Sequence, residues 1–263
     1  MTGRGLVVFA ALAVAAVPTH LRAQEPGDGQ ASDAPAAAQR NVGWKQLPGN
    51  ILSDQKNIWL FPAHLRHRSI LVPTLAVIGA TAALIVLDPH EGHYFRNSAA
   101  FNGFNTAFSG NNTSAGILLT PVSIYAAGLI GRDAKAQKTA LFAAEAVADA
   151  EILTTVLKDI DRRIRPAAIA PNGNFSDTWF ESGGNAFRGR GSFPSGHTIA
   201  AAAVATVVAR RYGREHRWVP YLAYGMTAVV GFSRMTLSAH FVSDVFMGGV
   251  LGYSISRFVV LRQ

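Results

Sequence analysis

Six apolar stretches separated by polar breaks constrain this chain more than any other feature. They occupy residues 70–87, 115–130, 139–157, 198–208, 219–232 and 241–260. Their lengths and their alanine, leucine and valine content favour helices over strands. Stretches of this kind must be buried against one another or in lipid. The expected fold is therefore all-α, a bundle of about six core helices, associated with a membrane. The composition points the same way: 49% of the 263 residues are hydrophobic and 15% charged, against about 25% charged in an ordinary soluble domain. No fixed-period repeat is visible.

The segments before the first stretch read differently. Arg4, an apolar run over 6–17 and Leu21-Arg22-Ala23 form the pattern of an export signal over residues 1–23, or of an N-terminal anchor. The run is shorter than the roughly 20 residues that a membrane span needs. Residues 24–43, rich in Ala, Gly, Pro, Asp and Gln, read as a disordered linker. Residues 44–69 mix aromatics, prolines and charges and form a lead-in with a short helix; residues 70–263 hold the main domain. The expected location is the cell envelope, in the inner membrane or the periplasm.

Charge placement bears on topology. Stretch 70–87 is uncharged, a fair membrane span. Stretch 139–157 carries Glu145, Asp149 and Glu151, which are costly in lipid unless they face the bundle interior; a polar seam that partners an arginine is expected. Arg132, Lys135 and Lys138 fill one connection, and Arg210, Arg211, Arg214 and Arg217 another. The positive-inside rule places both in the cytoplasm and the long loop 159–196 outside. That layout brings the chain to residue 70 from the cytoplasm, whereas a cleaved signal delivers it from the periplasm, and the sequence leaves both open. The net charge of +8 suits anionic lipid or a phosphate-bearing substrate. Nucleic acid is disfavoured, because no basic helix interleaved with aromatics stands out. The absence of cysteine excludes disulfides and thiol chemistry.

Three clusters carry chemistry: Lys158-x6-Arg165-Pro166, Pro194-Ser195-Gly196-His197, and Ser233-Arg234-x5-His240-x3-Asp244. All lie at the ends of apolar stretches, where a bundle can gather them. A phosphoryl group in transfer spreads negative charge over its oxygens, so the protein must supply positioned cations and donors. Arg165 and Arg234 each offer a forked pair of donors, and Lys158 a compact charge. Ser195 and the amides after it lead into a helix and can cradle an anion, while Gly196 admits close backbone approach. His240 and Asp244 are four apart, so on a helix they share a face. The carboxylate can then fix the imidazole tautomer and leave the other nitrogen as nucleophile. His197 remains to protonate the leaving oxygen.

These clusters resemble the signature of the PAP2 phosphatase and vanadium haloperoxidase superfamily, written K-x6-RP, PSGH and SR-x5-H-x3-D, with every fixed position met between Lys158 and Asp244. The resemblance implies a helical bundle and a mechanism without metal or other cofactor. It implies that His240 attacks phosphorus to form a phosphohistidine, that Asp244 supports it, and that His197 acts as acid and then base. It assigns the phosphate oxygens to Lys158, Arg165, Ser195, Gly196 and Arg234. Arg162 and Arg163 are extra cations to which the pattern gives no role. The expected substrate is a phosphate monoester or diphosphate, of a lipid by the apolar and basic character of the chain. A vanadate-dependent haloperoxidase and an inactive envelope scaffold or lipid-binding bundle are the alternatives.

Two further patterns stand apart. His90-Glu91-Gly92-His93, with His64-x2-His67 upstream, lacks the spacing of a helical zinc site and reads as loop or surface. Gly248-x3-Gly252 reads as a helix face that packs closely in the core.

Overall fold

A computed structural model describes residues 40–64, 68–181, 189 and 191–262. The expected export signal, most of the expected linker and His67 lie outside the described residues. Eight α-helices occur among the described residues: α1 (Leu47–Trp59), α2 (Arg68–Asn97), α3 (Asn102–Ala107), α4 (Gly110–Ile130), α5 (Ala134–Asp161), α6 (Gly196–Tyr212), α7 (Val219–Thr236) and α8 (Val242–Ser254). A π-helical turn, Ile255–Val260, continues α8, and Pro166–Ala168 forms a 3-10 turn. Each of the six apolar stretches falls within one long helix or, for the last, within α8 and its π turn. The expected all-α bundle is the observed one.

Local chemistry sets several helix ends. Asp133 caps α5, its side chain accepting from the amides of Lys135 (2.8 Å) and Ala136 (3.1 Å), which satisfies two donors of the first turn. Arg162 ends α5 in the left-handed region, with φ of 46°. Pro220 stands in the first turn of α7, where its missing N–H costs nothing.

Helix α6 is the hub, packed between α5, α7 and α8. Its alanines at 200, 202, 203, 205 and 209 are buried, and such small side chains let neighbouring helices approach. Gly248 and Gly252 of α8 use that space: a Cβ at Gly248 would lie 2.8 Å from the Ser195 carbonyl oxygen, and one at Gly252 would overlap that of Ile199. The close-packing reading of these glycines holds.

Helix α1 gives the lead-in a function. It packs along α5, where Asn50 donates to Glu145 (3.0 Å) and Gln55 to Asp149 (2.9 Å). Arg40 joins Asp54 (2.8 Å) and Glu145 (3.1 Å) in an ion-pair cluster, and Val42 is buried, so residues 40–42 are packed where the linker was expected to run to 43. The polar seam and its arginine are present for Glu145 and Asp149. Glu151 is exposed, because two residues along a helix turn it about 200° from Asp149.

Helices α2 and α4 are long and apolar enough to cross a membrane by length and composition, and only 6% of the most apolar window of α2 is buried. Val72, Leu75, Ile78 and Val86 project from α2 into the surroundings, an apolar surface of the kind that contacts lipid or a partner. Of the loop-or-surface expectation at His90–His93, the loop part is corrected: α2 runs unbroken through these residues, with His90 and His93 exposed on its surface and Gly92 beneath the Phe241 and Phe175 rings. Neither Pro73 nor Pro89 ends the helix.

Candidate active site

Helices α5 and α6 are joined through the 162–195 segment, so the end of α5 and the start of α6 share one end of the bundle. Lys158 stands in the last turn of α5, His197 in the first turn of α6, and His240 in the turn between α7 and α8. The His240 amide donates to the Arg234 carbonyl (3.2 Å), which fastens that turn to the end of α7.

The histidine–carboxylate pair forms, though not on one helical face. His240 precedes the first turn of α8, while Asp244 is the third residue of that helix and accepts from the Phe241 amide at 2.8 Å. The carboxylate is held by this cap, and the chain turns back to bring His240 Nδ1 within 3.5 Å of Asp244 Oδ2. Ser192 Oγ lies 3.4 Å from the same Nδ1 and donates to Asp244 Oδ2 at 2.5 Å. Nδ1 is thus engaged on the protein side, and Nε2 is the ring atom left to react. Burial, first, and the nearby Lys158 charge push His240 down to about 4, so the ring is neutral at pH 7. Burial pushes Asp244 up, but the His240 hydrogen bond and the Arg163 charge outweigh it and hold the carboxyl below its ordinary value.

Arg163, a cation without an assigned role in the sequence pattern, organises this pair from behind. Its guanidinium donates to Asp244 Oδ1 (2.7 Å), Ser243 Oγ (2.8 Å), Asp88 Oδ2 (2.6 Å) and Thr178 Oγ1 (3.1 Å). It lies between the rings of Trp179 and Phe241, at 4.5 and 4.1 Å from their centroids. Asp88 of α2 also accepts from the Ser243 amide and hydroxyl, and Glu91 accepts from the Val242 amide at 2.7 Å. Two carboxylates of α2 therefore serve the start of α8. The available signal was weak: Asp88 is the charge that ends the uncharged run of α2.

The cations face the histidines from the other side. A Cβ at Gly196 would lie 3.5 Å from Lys158 Nζ, so the absent side chain keeps the ammonium close to the start of α6. Lys158 is 7% exposed. Burial and then the neighbouring Arg165 lower it to about 8. Arg165 is half-buried, and among the described residues neither its guanidinium nor the Lys158 ammonium donates a hydrogen bond to protein. Two desolvated, mutually repelling cations with unused donors have the chemistry to receive an anion. Arg234 is anchored by the Phe108 carbonyl and by Thr113 Oγ1 (3.0 Å). His197 Nε2 lies 3.1 Å from the Gly110 carbonyl and 2.9 Å from Ser114 Oγ, so α4 orients this ring. Burial, with Arg234 next and Lys158 and Arg165 after it, lowers His197 to about 4. The charges of Lys158 and Arg165 act on both histidines, so residues of the three clusters lie near one another at this end of the bundle.

The Ser195 amide donates to the Asp244 carbonyl at 3.0 Å, and its hydroxyl pairs with Thr198 Oγ1 at 2.9 Å. Ser195 is fully buried and fastens α6 to α8; the amides of Gly196 and His197 follow at the start of the helix.

A helical bundle that sets a histidine–carboxylate pair against a cationic cradle defines a class of phosphate-handling site. Residues 139–263 match the family model of the PAP2 superfamily. Over 108 residues it is 37% identical to phosphatidylglycerophosphatase B of Bacillus subtilis, which is 38% of this chain and 46% of the relative. Over 75 residues it is 37% identical to a lipid A 1-phosphatase of Porphyromonas gingivalis, 26% of this chain and 17% of the relative. The matched stretches thus span less than half of either relative. A solved transmembrane PAP2-type phosphatidylglycerolphosphate phosphatase from Bacillus subtilis superposes over 80% of this chain and 94% of its own, with a TM-score of 0.47 and 22% identity.

Proposed function

We propose that the chain is a membrane-bound phosphatase that hydrolyses a phosphate monoester or diphosphate of a lipid by double displacement at His240. The observation that carries the reading is the buried, neutral His240, with Nδ1 turned to Asp244 and Ser192, facing the unused donors of Lys158 and Arg165. His240 Nε2 attacks phosphorus, and the N–P bond forms as the P–O bond to the leaving group breaks. His197 gives its proton to the departing oxygen. Water then attacks the phosphohistidine, His197 takes the water proton, the N–P bond breaks and phosphate leaves. Lys158, Arg165, Arg234 and the amides of Gly196 and His197 hold the phosphoryl oxygens.

An apolar crevice supports the lipid part. It has a volume of about 100 Å³ and is walled by α4, α6 and α7, with Ile117, Ala201 and Val230 among its residues. Ala201 is one turn below His197, and Val230 one turn below Arg234, so an alkyl chain in the crevice begins beside the leaving-group acid. The named relatives are lipid phosphatases, which favours the same substrate class. The inner membrane, with the site on the periplasmic face, is the location that fits both basic connections lying at the opposite end.

The test is turnover of phosphatidic acid, phosphatidylglycerophosphate and a polyprenyl diphosphate in detergent micelles, with a soluble ester for comparison. His240→Ala should lower the rate by roughly 10⁴-fold or more, and radiolabelled substrate should leave acid-labile label on the parent alone. Parent-level activity in the variant would remove the reading. Turnover of soluble esters with lipid phosphates untouched would remove its lipid part.

A further inference from the structure

A cavity of about 880 Å³ opens at the end of the bundle opposite His240. Its wall gathers Lys135 and Lys138 from the start of α5, Arg210 and Arg211 from the end of α6, Arg214 from the following turn, and Arg262. Glu215 is the acidic residue among the described residues of the wall, and it is paired with Lys135. The Arg211 guanidinium is held by Thr139 Oγ1 at 2.6 Å and lies over the Phe142 ring. Lys138, Arg210 and Arg214 are exposed, and none of the three forms an ion pair among the described residues. Like charges drawn together raise the energy of the fold unless an anion lies among them. A rule of membrane orientation asks only that connections be basic. It does not ask that two connections some 75 residues apart, with a residue near the end of the described chain, share one concavity.

The aromatic residues of the wall point to the kind of anion. Tyr224 and Tyr253 belong to the wall and are 36% and 39% exposed. Exposed cations beside partly exposed tyrosines suit a molecule with a phosphate head and an apolar body, because guanidinium binds phosphate and aromatic rings favour the lipid–water boundary. Basic pockets between helices at a membrane face take lipid head groups in this way. Lys138 and Lys158 are 20 residues apart on α5, hence about 30 Å, so a head group held here is out of reach of His240.

We propose that this cavity is a second anion site, which holds the head group of an anionic phospholipid and is separate from the phosphate site beneath His240. The proposal does not depend on the reaction assigned to His240, because it is read by binding. Full-length protein carrying His240→Ala, in detergent, is titrated with phosphatidylglycerol, with phosphatidylcholine and with inorganic phosphate, and bound ligand is counted by native mass spectrometry. One phosphatidylglycerol per chain should be retained in preference to phosphatidylcholine. The triple variant Lys138→Gln, Arg210→Gln, Arg214→Gln should weaken that binding by at least about tenfold. The same triple variant with His240 intact should hydrolyse a soluble ester at the parent rate, which reports folding, and Arg214→Gln alone should show a smaller loss in the same direction. Equal retention by parent and triple variant, equal binding of phosphatidylcholine, or tighter binding of inorganic phosphate than of phosphatidylglycerol would each overturn the proposal.

Discussion

Arg163 holds two buried carboxylates, and its loss is more costly than that of any surface cation in this chain. Arg163→Met leaves Asp88 and Asp244 without their partner. A destabilisation of about 3–5 kcal/mol is expected, read as a lowered melting temperature in detergent, with activity reduced in protein that remains folded. Asp88→Asn should cost less, and combining the two changes should cost less than their sum, because they share one network. Additive effects would show that Asp88 does not act through Arg163. The pH dependence follows from three groups. His240 is lowered to about 4, so the proposed nucleophile is neutral above that pH. His197 is lowered to about 4 by burial and by surrounding cations, and a bound phosphate dianion reverses that sign and raises it. The alkaline limb of kcat should therefore lie at higher pH than that of kcat/KM, since the first reports the complex and the second the free enzyme. Coincident limbs would contradict His197 as the acid. Lys158, lowered to about 8, is charged below that pH, so KM should rise as the pH passes about 8. Lys158→Gln should have a high KM without that rise.

At the scale of helices, the fit of α8 on α6 sets where Asp244 and Ser195 meet. Gly252→Ala forces a methyl against the Ile199 backbone and should destabilise the protein by about 1–3 kcal/mol. Gly249→Ala, three residues earlier and with open space around it, should be neutral. Equal melting temperatures for the two variants would show that α8 is not pressed on α6 there. Helix α1 bears a different load. Arg40 neutralises Glu145 and Asp54, and with Asn50 and Gln55 it lets α5 keep two carboxylates in the bundle interior. This helix reads as unremarkable in sequence, because its value lies in what it donates to a helix about 95 residues away.

For the whole molecule, α2 presents an apolar flank that no other helix among the described residues covers. The full chain should remain in the membrane fraction after washing at alkaline pH and high salt, and should enter solution only with detergent; release by the wash would show that α2 is covered by protein instead. The expected topology conflict also has a structural side. Lys135 and Arg210 lie at one end of the bundle and Lys158 and His197 at the other, so a layout with the basic end in the cytoplasm would set the proposed site on the opposite side.

Sequence alone determined the helical class, the six apolar stretches that become helices and the three motif clusters that the fold brings to one end of the bundle. Hydrophobic period and run length are local properties, and a transferring phosphoryl group accepts few side-chain types. Tertiary structure decided what surrounds them. Asp88 reaches Arg163 across 75 residues and Ser243 across 155, and Ser195 proved to be a fastening between helices, with its amide already taken. Such partners depend on which faces of distant helices come together. That outcome is set by packing summed over the whole bundle, and no spacing within a single segment encodes it.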